Sequence, residues 1–326
     1  MSVQISLLHF VFSQEKIMSI TRLHHVGLIN GDLDHAKHIL VEGFGLAVDE
    51  HRTPLPVGRE GYDGTTILEF PIGELFYEVA RPNDLESESA KYLASTNGRG
   101  GMYYISLASS DMKGDIQGII ERGGKLREDW DGVGSVFMDP NTSMGLRVQI
   151  TPEDNYFVHP YFKGNGTCTG LAHVGIAARN PEESRRFWGH ILGLKEDKSE
   201  ERGKEGPDPS RETSAADDPV HLLEFPIGGT VIEISHPTTT DSGTARLVAS
   251  RAPLGAVYHH TAPFAPDVYR FVEQAVPAGM EQIGSLPPRG SKASGASDLA
   301  WFHPRSCLGM LLEPWNRVPG SEHYQQ

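Results

Sequence analysis

The sequence predicts an α+β fold of four successive units, each running strand, helix and then several strands. Three observations carry that expectation. The run Leu68-Glu69-Phe70-Pro71-Ile72-Gly73 recurs unchanged as Leu223-Glu224-Phe225-Pro226-Ile227-Gly228. The segments around it correspond as well: Leu23-His24-His25-Val26-Gly27 aligns with Leu171-Ala172-His173-Val174-Gly175, and the stretch from Phe137 to Gln149 aligns with that from Trp301 to Glu313. A repeat at this period marks a duplicated chain. Within each half the apolar spacing switches between the strand period of about two and the helix period of about 3.6.

In chain order, residues 1–21 read as an N-terminal extension. Its apolar patch at 5–12 follows no Lys or Arg and precedes no small-residue cleavage site, so a secretory signal is not expected, and Met18 is a candidate start. Residues 22–153 form the first domain. It holds a helix over about 32–42 and another over 111–122, stopped by Gly123-Gly124. Residues 154–169, with Gly164 and Gly166, are the linker.

Residues 170–316 form the second domain. A strand over 171–177 leads to Asn180-Pro181-Glu182-Glu183, an N-cap, a proline at the first helical position and acids in the first turn. Phe187, Trp188, Ile191 and Leu192 keep helical spacing until Gly193. Strands over 220–225 and 230–235 follow, then a strand over 255–262. A helix over 267–276 carries Val268, Phe271, Val272, Ala275 and Val276 on one side and is capped by Gly279. The last strand, 309–314, carries Glu313, and residues 317–326 are a tail. The charged, Gly- and Pro-rich segment 199–218 interrupts the correspondence between halves and reads as a long loop, either a solvated insertion or a lid.

Composition narrows the partners. A net charge of −14 makes nucleic acid and anionic membranes poor ones. No run approaches the roughly 20 apolar residues of a membrane span. Cys168 and Cys307 lie far apart and match no Cys-x-x-Cys pattern, so a reducing, cytoplasmic setting without disulfides is expected. Gly100-Gly101 and Gly123-Gly124 are turn signals, because no Lys-Ser/Thr follows them.

Superposing the four units isolates His173 and Glu233 in the third and His260 and Glu313 in the fourth. Each His falls in the first strand of its unit and each Glu in the last. Alternation turns Glu233 away from Ile232 and Ile234, and His173 away from Ala172 and Val174, onto the face opposite the helices. Two imidazoles and two carboxylates converging there suit a divalent transition metal, whose charge offsets the cost of burying two anions. The same alternation places His24 and His259 on the other face. His303, His221 and Tyr258 are candidate pocket residues, and His236 a rim or solvent residue.

These motifs, Leu-x-His-Val-Gly at 23–27 and 171–175, Tyr258-His259-His260, His303-Pro304 and Leu312-Glu313, resemble the vicinal oxygen chelate superfamily, which includes glyoxalases, bleomycin-resistance proteins and extradiol dioxygenases. The resemblance covers nearly the whole chain. It implies four βαβββ modules pairing into two tandem cup-like open barrels. It also implies one divalent metal (Zn, Co, Ni, Mn or Fe) on His173, Glu233, His260 and Glu313. In the first half His25 and Glu78 fit the pattern, but Tyr104 and Gln149 stand where His260 and Glu313 do. A phenol with an unperturbed pKa of about 10 is a poor ligand, and the amide of Gln149 brings no charge, so a degenerate first site is expected.

The implied activity is that of a metal-dependent isomerase or epimerase. It would abstract a proton on carbon next to a carbonyl through a metal-stabilised enediolate, with Glu313 or Glu233 as base and Glu313 favoured. The site pattern is similar to those of methylmalonyl-CoA epimerase and glyoxalase I. The alternative is an Fe(II) extradiol-type dioxygenase using His173, His260 and Glu313, although its Tyr-x-x-Asp-Pro-x-Gly segment is absent here. A non-catalytic ligand-binding protein of the bleomycin-resistance type is a third reading. The expected partner is a small molecule with vicinal oxygens. Paired modules in one chain build the site without a second copy and leave a homodimer open.

Overall fold

The computed structural model describes residues 19–154, 157–197, 218–289 and 299–316. The extension before residue 19, the loop or lid segment up to residue 217 and the tail from 317 lie outside the described residues.

Among the described residues, two mixed seven-stranded sheets form the architecture. The first contains β1 (Ile20–Ile29), β2 (Arg59–Glu60), β3 (Thr66–Ile72), β4 (Leu75–Arg81), β5 (Gly101–Ser109), β6 (Val136–Phe137) and β7 (Val148–Pro152), in the order β2-β3-β4-β1-β5-β7-β6. The second contains β8 (Gly170–Ala178), β9 (Val220–Ile227), β10 (Thr230–Pro237), β11 (Ala256–Phe264), β12 (Gln282–Ile283), β13 (Trp301–Phe302) and β14 (Leu311–Leu312), in the order β12-β13-β14-β11-β8-β10-β9. The central pairings agree. β1 runs parallel to β4 and antiparallel to β5; β8 runs parallel to β10 and antiparallel to β11. The fold is α+β, as the sequence predicts.

The helices begin where side-chain caps allow. Asp32 accepts from His35 N at the start of α1 (Leu33–His38), which continues as a π-helical turn, Ile39–Gly43. α2 (Glu88–Ser95) starts at Ser87 and α3 (Met112–Glu121) at Asp111. α4 (Pro181–Ser184) is capped by Asn180 and runs into a second π-helical stretch, Arg185–Ile191. α5 (Gly243–Arg251) starts at Ser242 and α6 (Val268–Ala275) at Asp267. The sequence reading did not contain α2 or α5. α5 lays Val248 and Ala252 on Ala177 of β8. Ala177 shares a face with His173 and Gly175, so α5 forms a wall beside that face.

Elsewhere the helices bury apolar side chains, among them Phe44, Phe187, Trp188 and Phe271. The halves share this core. α6 packs on the Ile39–Gly43 turn, with the Phe44 and Phe271 rings 5.8 Å apart, and the Tyr77 hydroxyl donates to Thr261 Oγ1 at 3.1 Å. Gly100 and Gly309 meet across the boundary. A Cβ on Gly309 would lie 2.2 Å from the Gly100 carbonyl oxygen, and φ is +72° at Gly100 and +79° at Gly309. Only glycine fits both demands.

Two expectations need correction. The last strand is confined to Leu311–Leu312, although Glu313 N still donates to Thr261 O at 2.9 Å and so keeps the register. His236 is buried, not at the rim. It stands three residues after Glu233, an odd offset that turns it to the opposite face, where Nε2 meets Ser184 Oγ at 2.9 Å.

Candidate metal centre

Register places the four singled-out side chains of the second half together. β8 pairs Gly175 with His260 of β11, and β10 pairs Glu233 with Gly175. Glu313 follows β14, whose Leu311 and Leu312 pair with His260 and Thr261. The results are short distances between donor atoms. His173 Nε2 lies 2.9 Å from His260 Nε2 and 3.0 Å from Glu313 Oε2. His260 Nε2 lies 3.3 Å from Glu313 Oε2 and 3.8 Å from Glu233 Oε1. His173, Glu233 and His260 offer ligand atoms all within 4.8 Å of one another.

These spacings fit a metal ion. Two donors each about 2.1 Å from one ion and at right angles about it stand about 3.0 Å apart. Two Nε2 atoms facing each other can share one proton at most, so the pair is better matched to a cation than to two protons. The charges of these side chains compensate one another. Burial works against a charged His173, but the carboxylates of Glu233 and Glu313 outweigh it and raise its pKa. Burial likewise opposes ionisation of Glu313, yet hydrogen bonds from His173 and His260 pull its pKa down to about 2.

Aromatic edges hold the imidazoles. Trp315 meets the His173 ring edge-on at 5.2 Å, and Trp301 meets His260 at 5.5 Å. The site opens into a cavity of about 1220 Å³. Its walls include Trp301, Trp315, Tyr258, His259 and His303, and three arginines, Arg99 from the first half with Arg246 and Arg251 from α5. The sequence reading missed the arginines and Trp315. Ser242 before the α5 run was the available signal for that wall.

Other candidates sort plainly. Tyr258 lines the cavity while its hydroxyl donates to Arg147 O at 2.7 Å. His303 lines it too and caps the Pro304–Ser306 turn, its Nδ1 accepting from Arg305 N at 3.2 Å. His221 does not join them. Its ring is exposed beside His236, on the strand position opposite to the site face. His259 corrects the alternation argument. The β8–β11 register passes from Tyr258↔Ile176 to His260↔Gly175, leaving His259 as the extra residue of a bulge. It therefore turns beside His260, with Nδ1 atoms 3.1 Å apart. Burial, reinforced by His260, lowers its pKa to about 3, so its imidazole is neutral. His24 is displaced by a matching shift between Leu23 and His25, and lies 2.8 Å from His25 Nδ1.

In the first half the equivalent positions also meet, but around a hydroxyl. Tyr104 Oη lies 2.8 Å from His25 Nε2 and donates to Glu78 Oε1 at 2.5 Å. Gln149 Oε1 accepts instead from Ser106 Oγ at 2.8 Å. The strand neighbour Glu69 is buried and paired with Arg52 and Arg59. Burial raises the Glu78 pKa to about 7, against the opposing Tyr104 hydrogen bond.

The profile of the Glyoxalase/Bleomycin resistance protein/Dioxygenase superfamily matches residues 170–296. Among curated proteins, none matches the chain. Among solved structures, it is similar to a mutant 4-hydroxymandelate synthase from Streptomyces coelicolor, at 13% identity and TM-score 0.62, over 90% of this chain and 92% of that one. A xylose isomerase-like TIM barrel/4-hydroxyphenylpyruvate dioxygenase fusion protein aligns at 12% identity and TM-score 0.61, over 96% of this chain and 52% of that one. Streptomyces coelicolor methylmalonyl-CoA epimerase aligns over 41% of this chain and 99% of its own, at 20% identity and TM-score 0.36. At these identities the likeness to the first two structures concerns the fold alone.

Proposed function

Residues 170–296 belong to the glyoxalase, bleomycin-resistance and dioxygenase superfamily, and from that premise we propose that the chain is a metal-dependent isomerase or epimerase acting on a small anionic molecule with vicinal oxygens. The observation that supports this reading is the convergence of four donors, two imidazoles and two carboxylates, on one point of the cavity. A bound divalent ion supplies Lewis acidity to oxygens placed beside it. The residues do the rest. His173, His260 and Glu313 anchor the site. Among the described residues Glu233 meets His260 at 3.8 Å, farther than Glu313 stands from either imidazole, and is the less tightly held carboxylate. That looseness suits the base that takes a proton from carbon, and shifts the role from Glu313 to Glu233. Arg99, Arg246 and Arg251 at the walls suit a carboxylate or phosphate elsewhere on the substrate. The apolar Trp301 and Trp315 limit water around the reacting atoms.

The second reading is a ring-cleaving dioxygenase built on His173, His260 and Glu313. What favours it is the closer set of contacts among those three, from which Glu233 stands apart. Substitution of Glu233 by Ala separates the two. Under the first reading it abolishes exchange of solvent deuterium into an α-hydroxy ketone or acyl thioester turned over by the unmodified protein. Under the second, O₂ uptake with catechols by the Fe(II)-loaded protein survives the change, and the unmodified protein shows no such exchange.

A further inference from the structure

We propose that His259 is a positioning residue for the metal centre, holding His260 through an Nδ1-to-Nδ1 hydrogen bond so that His260 Nε2 stays free of a proton and aimed at the ion. The inference rests on the reading of His173, Glu233, His260 and Glu313 as metal ligands.

A ligand imidazole must present a bare nitrogen, and the hydrogen bond made by its other nitrogen decides which one is bare. His260 Nε2 faces His173 and Glu313, so its proton belongs on Nδ1. The atom that meets Nδ1 is His259 Nδ1, at 3.1 Å. His260 Nδ1–H therefore donates, His259 Nδ1 accepts, and the His259 proton sits on Nε2. Strand alternation would have carried His259 to the far face. The bulge at β11 instead turns two consecutive histidines to one side and creates the contact. His173 has no such support: among the described residues its buried Nδ1 has no hydrogen-bond partner. Of the two imidazoles, it is therefore His260 whose second ring nitrogen is held, by the His259 contact. The first half repeats the device where no metal is expected. His24 Nδ1 meets His25 Nδ1 at 2.8 Å, and there His25 Nε2 faces the Tyr104 hydroxyl.

The test compares His259→Leu with His259→Asn in the full chain. Asparagine keeps an acceptor oxygen close to the position of Nδ1; leucine keeps bulk and loses the acceptor. Cobalt(II) affinity is read by competition with a chelator, and the cobalt absorption spectrum reports on the ligand field. His259→Leu weakens cobalt binding by about 10- to 100-fold, the usual effect of losing a partner of a metal-bound histidine. His259→Asn stays within about threefold of the unmodified protein and keeps its spectrum. Circular dichroism and the melting point of the metal-free variants stay alike, which separates positioning from folding. If both variants bind cobalt like the unmodified protein, or both lose it equally, His259 only fills space and the proposal falls. If the unmodified protein binds no cobalt, the metal reading itself fails and takes this inference with it.

Discussion

A Cβ added to Gly175 would lie 2.0 Å from Cε1 of His260, on the neighbouring strand. Gly27 stands in the same relation to Tyr104, also at 2.0 Å from Cε1. The glycine of each Leu-x-His-Val-Gly motif is thus the floor on which the ring of the next unit rests. Neither glycine has an unusual backbone angle, so the requirement is space alone.

Gly175→Ala should therefore push His260 off its position and weaken cobalt(II) binding by about tenfold or more, the scale on which disturbed ligand orientation is felt. Gly27→Ala should displace Tyr104 and cost about 1–3 kcal/mol of stability, as overpacking does, with cobalt affinity unchanged. Chelator competition and urea unfolding of both variants measure the contrast. Equal cobalt affinity in Gly175→Ala and the unmodified protein would show that His260 can move without consequence.

Tyr104→Phe removes the hydroxyl that joins His25 to Glu78. Both partners are buried, so the loss should cost about 1–3 kcal/mol, the range for leaving a buried polar group unpaired. Unfolding in urea reads the difference. A neutral effect would mean that His25 and Glu78 satisfy each other directly.

Glu78 gives a pH dependence. Burial favours its neutral form and raises the folded pKa from 4.5 to about 7, while Glu69 adds to the rise and the Tyr104 hydrogen bond, Arg59 and Arg52 oppose it. A raised folded pKa contributes stability that is complete below the unfolded value and is lost as pH climbs through the folded one. Between pH 4.5 and about 7 the unmodified protein should lose stability relative to Glu78→Gln, by about 3 kcal/mol in total at 1.36 kcal/mol per pH unit. Above pH 7 the gap should stay constant. Unfolding curves for both proteins at several pH values test this, and parallel curves would contradict it.

Much of the fold and the candidate site was legible in the sequence, for identifiable reasons. Strand-to-strand register follows the motifs and brings His173, Glu233, His260 and Glu313 together. Caps at Asp32, Asp111, Asn180 and Asp267 mark helix starts because their side chains accept from backbone N–H groups. The bulges at His24 and His259 were not legible, since one extra residue leaves the apolar pattern unchanged while reversing a side chain. α2 and α5 escaped because they bury few side chains, only Ser89 in α2 and Thr244 and Val248 in α5. His221 failed as a pocket residue for the reason alternation itself gives: His221 pairs with His236, which faces away from Glu233.

The central claim is that two imidazoles and two carboxylates of the second half hold one divalent ion. The most direct measurement is the cobalt(II)-to-protein ratio at saturation, for the unmodified chain and for the double variant His173→Ala, His260→Ala. The account predicts one ion per chain in the first and none in the second. No bound ion in the unmodified chain, or the same ratio in both proteins, would contradict it.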